Sequence, residues 1–96
     1  MVRHMMSREL EKIRQEIMRE AFEKIVSRVR DLLTENSFTI VAEADKTDEE
    51  FMRYYILAKH GEQHYFITID EEDGFWPQIR NIKQDELQLY QKLTKT

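Results

Sequence analysis

The stretch FMRYYILAKHGEQHYFITID, Phe51 to Asp70, decides the fold. Two runs rich in aromatic and β-branched residues flank His60-Gly61-Glu62-Gln63, which reads as a hairpin turn between two strands. Gly61 suits the positive φ that a type II′ two-residue loop demands at its first central position. With Gly61-Glu62 as that loop, the register follows. Tyr54 faces Ile69, Ile56 faces Ile67 and Ala58 faces Tyr65, giving an apolar face for a helix to cover. On the other face Arg53 lies opposite Asp70, Tyr55 opposite Thr68, Leu57 opposite Phe66 and Lys59 opposite His64. A cross-strand pair such as Arg53–Asp70 adds about 0.2–1 kcal/mol, so it supports register more than fold.

Outward from the hairpin, Phe38 to Ala44 alternates and reads as an earlier strand, joined to the hairpin by a polar turn over Asp45–Glu50. Phe75 to Ile82 predicts a fourth, edge-like strand, because Pro77 cannot donate to a ladder. Asn81-x-x-Gln84 suits the cap of a short final helix through Leu87, Tyr90 and Leu93. Before the first strand, Ser7 to Glu35 predicts one long amphipathic helix. Leu10, Ile13, Ile17, Phe22, Ile25, Val29, Leu32 and Leu33 recur at helical spacing, and Met18, Ala21 and Val26 widen the stripe. Ser7 suits its N-cap, and Asn36 the left-handed residue that ends it. The expected fold class is α+β: a long N-terminal helix packed on a three- to four-stranded antiparallel meander, with a short C-terminal helix. Residues 1–6 are expected to be a leader without structural weight, and 7–96 a single domain.

This order carries a length mismatch. A helix of about 29 residues is about 43 Å long, whereas a strand of about eight residues spans only ~26 Å. The helix C-terminus feeds directly into the first strand, so the excess lies at the N-terminal end. Leu10, Ile13 and Ile17 sit there and need cover, and a homodimer through the helix is the simplest expectation.

Composition limits the function. Ninety-six residues with 41% hydrophobic content suit one domain with a modest core. Two Gly and one Pro leave no Gly-rich phosphate loop, and the absence of Cys excludes disulfides, thiolate metal sites and thiol nucleophiles. No run approaches the ~18 apolar residues of a membrane span. With no signal sequence visible, the expected location is the cytoplasm. No nucleophile–His–acid arrangement is apparent, so no catalytic residue, cofactor or metal is assigned and an enzyme is not expected.

Charge is distributed unevenly. The chain carries −4 overall, but Ser37–Phe75 holds three basic residues (Lys46, Arg53, Lys59) against ten acidic ones. In a meander, the turn after the first strand and the exit from the third lie at the same end of the sheet. Asp45, Asp48, Glu49 and Glu50 should therefore gather with Asp70, Glu71, Glu72 and Asp73, giving a strong negative potential beside Phe75 and Trp76. An EF-hand loop with Gly74 at its sixth position would need Ile69 and Arg80 as ligands, so that motif fails. His60 and His64 flank a turn and lack a usual third zinc ligand.

The order α-β-β-β-α resembles the double-stranded-RNA-binding domain at the level of topology. That module carries a run of lysines at its final helix, where Lys83-Gln-Asp-Glu-Leu87 has one Lys followed by acids, so no residue role is carried over. The expected function is that of a small acidic protein-binding module, regulatory, inhibitory or adaptor, that engages a basic partner through the acidic sheet end. One alternative is nucleic-acid binding by the aromatic outer face (Tyr55, Leu57, Phe66), which the charge disfavours. Another is an inhibitor of the phage type that mimics nucleic-acid phosphates. The bland reading of the same carboxylates is a pair of solvated turns.

Overall fold

A computed structural model of the chain describes residues 2–95, with the side chains of 7–95. The elements are α1 (Val2–Glu35), β1 (Thr39–Asp45), β2 (Arg53–His60), β3 (Gln63–Asp70), β4 (Gln78–Ile82) and α2 (Leu87–Leu93). The strands form one antiparallel sheet in the order β1-β2-β3-β4, so the α+β meander is as the hairpin reading requires. The β2–β3 register pairs Arg53 with Asp70, Ile56 with Ile67 and Lys59 with His64. Gly61 takes φ +61.

α1 starts at Val2, five residues before the expected start, so Ser7 lies inside the helix and is no N-cap. The expected leader, 1–6, falls on residues whose side chains lie outside the described set. At the other end Ser37, not Asn36, is the left-handed residue, with φ 68. Phe38 N–H donates to Leu33 O and Ser37 N–H to Thr34 O, the Schellman pattern, while the Asn36 amide donates to Leu32 O. Asn81-x-x-Gln84 does not cap α2. A 3-10 turn over Gln84–Glu86 precedes α2, and the Glu86 carboxylate accepts from Lys83 N–H instead.

β1 carries a bulge between Ile40 and Ala42 that leaves Val41 unpaired and exposed. A one-residue insertion turns every later side chain to the other face. Ile40 therefore joins the core under α1, while Ala42 joins the core on the opposite face. Glu43 and Asp45 then reach back to Arg30 and Arg19 of α1.

Both sheet faces are covered. Under α1, Phe22 meets Met52, Ile69 and Phe75, and Val29 and Leu33 pack on Ile56, Ala58 and Ile67. On the outer face Tyr90 of α2 packs on Leu57, Phe66 and Ile82, with the Phe66 and Tyr90 rings 4.7 Å apart. The Tyr90 hydroxyl also accepts from Arg80 at 2.8 Å. At about 1.5 Å per residue α1 outruns the sheet, and the molecule measures 60 × 26 × 19 Å. Leu10, Ile13 and Ile17 lie on the overhang, 59%, 51% and 59% exposed.

Candidate functional site

Four consecutive carboxylates would repel one another along an extended strand. Here Asp70 ends β3 and the other three, Glu71–Asp73, form a 3-10 turn. The Asp70 carboxylate accepts from Glu72 N–H at 2.9 Å at its start, and Gly74 closes it at φ 64. The turn between β1 and β2 is built in the same way. Asp45 accepts from Thr47 N–H at 2.9 Å, and Asp48 accepts from the N–H groups of Glu50 and Phe51 at 2.8 and 2.9 Å. The Phe51 and Glu50 amides hold the Asp48 carboxyl below the usual carboxylate range, outweighing an opposing effect of burial, and the Arg53 charge adds to them.

Arg53 joins the two turns. Its guanidinium lies 2.6 Å from Asp70, 3.4 Å from Glu72 and 3.5 Å from Asp48. The Asp70 hydrogen bond above all raises the Arg53 pKa. Glu71 completes the junction: its carboxylate accepts from Met52 N–H at 3.0 Å, and its own N–H donates to Met52 O at 2.9 Å. The two acidic turns thus share one end of the sheet.

Within that end the eight carboxylates divide by task. Asp45, Asp48, Asp70, Glu71 and Glu72 hydrogen-bond or pair with the fold itself. Glu49, Glu50 and Asp73 are exposed, and among the described residues their side chains make no hydrogen bond or ion pair. The two aromatics divide as well. Trp76 is 72% exposed, whereas Phe75 is buried, its ring 5.6 Å from that of Phe22. Phe75 is therefore a core residue rather than a surface one. It enters the core through φ 63, which ends the expected strand and delays β4 to Gln78. Lys12, Glu16 and Arg19 of α1 face Asp48, Glu49 and Glu50 across an open groove of about 520 Å³.

Elsewhere His60 stacks on Phe38, with ring centroids 4.6 Å apart. The outer strip of Tyr55, Leu57 and Phe66 lies beneath Tyr90 and Leu87.

One polar cluster escaped the sequence reading. Arg30 donates to Glu43 through two bonds, 2.7 and 3.1 Å, and the Tyr54 hydroxyl donates to the same carboxylate at 2.5 Å. The bulge in β1 brings Glu43 there, and no local sequence feature announces it. Burial pushes the Glu43 carboxyl up, but the Tyr54 and Arg30 hydrogen bonds and the Arg30 charge outweigh it, and the net shift is down from 4.5. Burial first, and then the bond to Glu43, push Tyr54 from 10.0 up to about 12. The signs follow by linkage. The Glu43 contribution is present above pH 4.5 and is lost as pH falls through its lowered folded value. The Tyr54 contribution is whole below pH 10.0 and is lost as pH rises towards about 12. Melting temperature against pH should fall in both windows, and Tyr54→Phe should flatten the alkaline fall and, by removing a hydrogen bond that lowers Glu43, weaken the acid fall as well. An alkaline fall unchanged in Tyr54→Phe would assign it to other groups.

Compared with family models, with curated proteins and with solved structures, the chain finds no match.

Proposed function

We propose that the protein is a small protein-binding module that engages a basic partner through the sheet end bearing Glu49, Glu50, Asp73 and Trp76, without a cofactor. The supporting observation is the division of labour among the carboxylates of that end. Five carboxylates serve the fold, while three stand free in solvent at the same end as the exposed indole. Free carboxylates at a sheet end that also bears an exposed aromatic suit a cationic surface with an apolar anchor, since Trp is a frequent interface anchor and charge steers association. Base stacking on the outer face is not favoured, because α2 covers Leu57 and Phe66. Self-association through Leu10, Ile13 and Ile17 is a second proposed contact, on a separate surface.

The test leaves the fold-bearing acids alone. Glu49→Gln/Glu50→Gln/Asp73→Asn should keep the circular dichroism and melting curve of the parent. A partner retained by the immobilised parent and eluted by salt should be lost on this variant. Equal retention by parent and variant would reduce the acidic end to a pair of solvated turns.

A further inference from the structure

The two edges of the sheet are finished differently. β1 is blunted: it carries the bulge at Val41, and Glu43 and Asp45 turn to the α1 side, where Arg30 and Arg19 pair with them. β4 has neither device. It runs opposite β3 from Gln78 to Ile82 without a break in register, and all of it but Ile82 is exposed.

Register tells which main-chain groups of β4 are spare. The two-residue loop makes His60–Gln63 a hydrogen-bonded pair, and such pairs alternate along an antiparallel ladder. Tyr65 and Ile67 therefore bond to β2, while His64, Phe66 and Thr68 bond to Ile82, Arg80 and Gln78 of β4. The same phase turns the main chain of Arg53 to β1, where its N–H donates to the Thr47 hydroxyl and its carbonyl accepts from Lys46 N–H. The N–H and C=O groups of Ile79 and Asn81 consequently point away from the sheet. Among the described residues none of them has a partner.

A groove of about 400 Å³ lies along this edge, between β4 and the C-terminal half of α1. Val29, Leu32, Leu33, Phe38, Pro77 and Ile79 line it. Ile79 pairs with buried Ile67 and so points to the α1 side, yet it is 66% exposed, and Leu32 on the helix wall is 41% exposed. Charge differs between the two ends of the strand. Asp73 and exposed Trp76 precede Pro77, whereas Lys83 follows Ile82.

We infer that β4 accepts an extended segment of the basic partner as an added antiparallel strand, with apolar side chains of the segment in the groove and Lys or Arg at its C-terminal end beside Asp73. This rests on the acidic-end reading proposed above and names the form of its partner. Spare main-chain groups on a sheet edge select an extended chain, whose own N–H and C=O groups match their spacing. Residues opposite Ile79 and Asn81 share the face of those residues and enter the groove, so the segment reads apolar-x-apolar. Antiparallel order continues the meander and carries the C-terminal end of the segment past Pro77 to Trp76 and Asp73. Like charge at Lys83 disfavours the opposite direction.

The probe is a fluorescent peptide, Thr-Val-Thr-Val-Thr-Gly-Lys-Lys, whose second Val would lie opposite Ile79. Anisotropy should show saturable binding that salt weakens. Methylating the main-chain nitrogen of that Val keeps every side chain and charge but removes a donor, and should weaken binding by about tenfold or more. Ile79→Glu alters an exposed side chain and should lose the peptide, although the new charge would itself attract lysine. The amides of Ile79 and Asn81 should exchange quickly in the free protein and slowly in the complex. Equal affinity for plain and methylated peptides, with both lost on Glu49→Gln/Glu50→Gln/Asp73→Asn, would keep the acidic end and overturn strand addition. Binding that methylation weakens but the triple change leaves intact would keep the added strand and overturn the acidic-end reading. Absence of saturable binding, or a light-scattering mass above 11.7 kDa that falls in Ile79→Glu, would also overturn the inference, the latter by giving the edge to a second copy.

Discussion

Phe22→Ala is expected to lower the unfolding free energy by about 3–5 kcal/mol, the range for removing a large buried aromatic. Among the described side chains of α1, Phe22 alone is buried, at 2% exposure. Its ring meets those of Phe75 and Tyr54 at 5.6 and 6.5 Å, and its cluster includes Met52 and Ile69. It is therefore the pin between α1 and the sheet at the end where the two acidic turns join. A domain of this size has about 5–15 kcal/mol in total, so the variant should be marginally folded at room temperature. Urea denaturation reads the effect as a fall in midpoint with the slope preserved. Leu89→Ala, at a 57% exposed site, should shift stability by less than about 0.5 kcal/mol. Similar losses in the two variants would mean that α1 is not held through Phe22.

The second large effect is expected at Arg53. Its side chain is 22% exposed and that of Asp70 is 16%, so the pair lies between a surface ion pair and a buried one. Surface pairs contribute about 0–1 kcal/mol, and breaking a buried pair costs about 3–5. Arg53→Ala should thus cost about 2 kcal/mol near neutral pH, since it leaves Asp48, Asp70 and Glu72 facing one another with their cation gone. The cost should shrink in acid, because the Asp48 carboxylate, which Arg53 helps hold below the usual range, takes up a proton there. Adding Asp70→Ala to Arg53→Ala should cost less than the sum of the single changes, because the second removes the charge that the first stranded. A penalty independent of pH would show instead that the aliphatic stem of Arg53, and not its charge, is what matters.

These two residues differ in how plainly the sequence announced them. The hairpin was legible to the residue, because a period-2 pattern on both sides of Gly61 admits one register once the loop length is set, and Arg53–Asp70 came with it. The gathering of the acidic turns was legible from the meander alone. How those eight carboxylates divide was not. Asp48 and Glu71 are spoken for by the N–H groups of Phe51 and Met52, and such partners appear only when the turns close. Phe75 was read as a surface aromatic because it follows four acids and precedes Trp76. A left-handed backbone at Phe75 turns it into the core, at an energetic cost that burial against Phe22 and Met52 offsets. The bulge at Val41 had no local signal either. It is required by two cores at once, since Ile40 is needed on one face and Ala42 on the other.

The strands lie side by side in the order in which they leave the ribosome. Every ladder can therefore be zipped from a closed neighbour, and no strand waits for a distant mate. The chain's search is short, because loop-closure entropy is met in three small steps. Such a topology favours rapid acquisition of structure and little time spent with bare edges, a useful property in a chain that keeps apolar side chains on its outside even when fully folded.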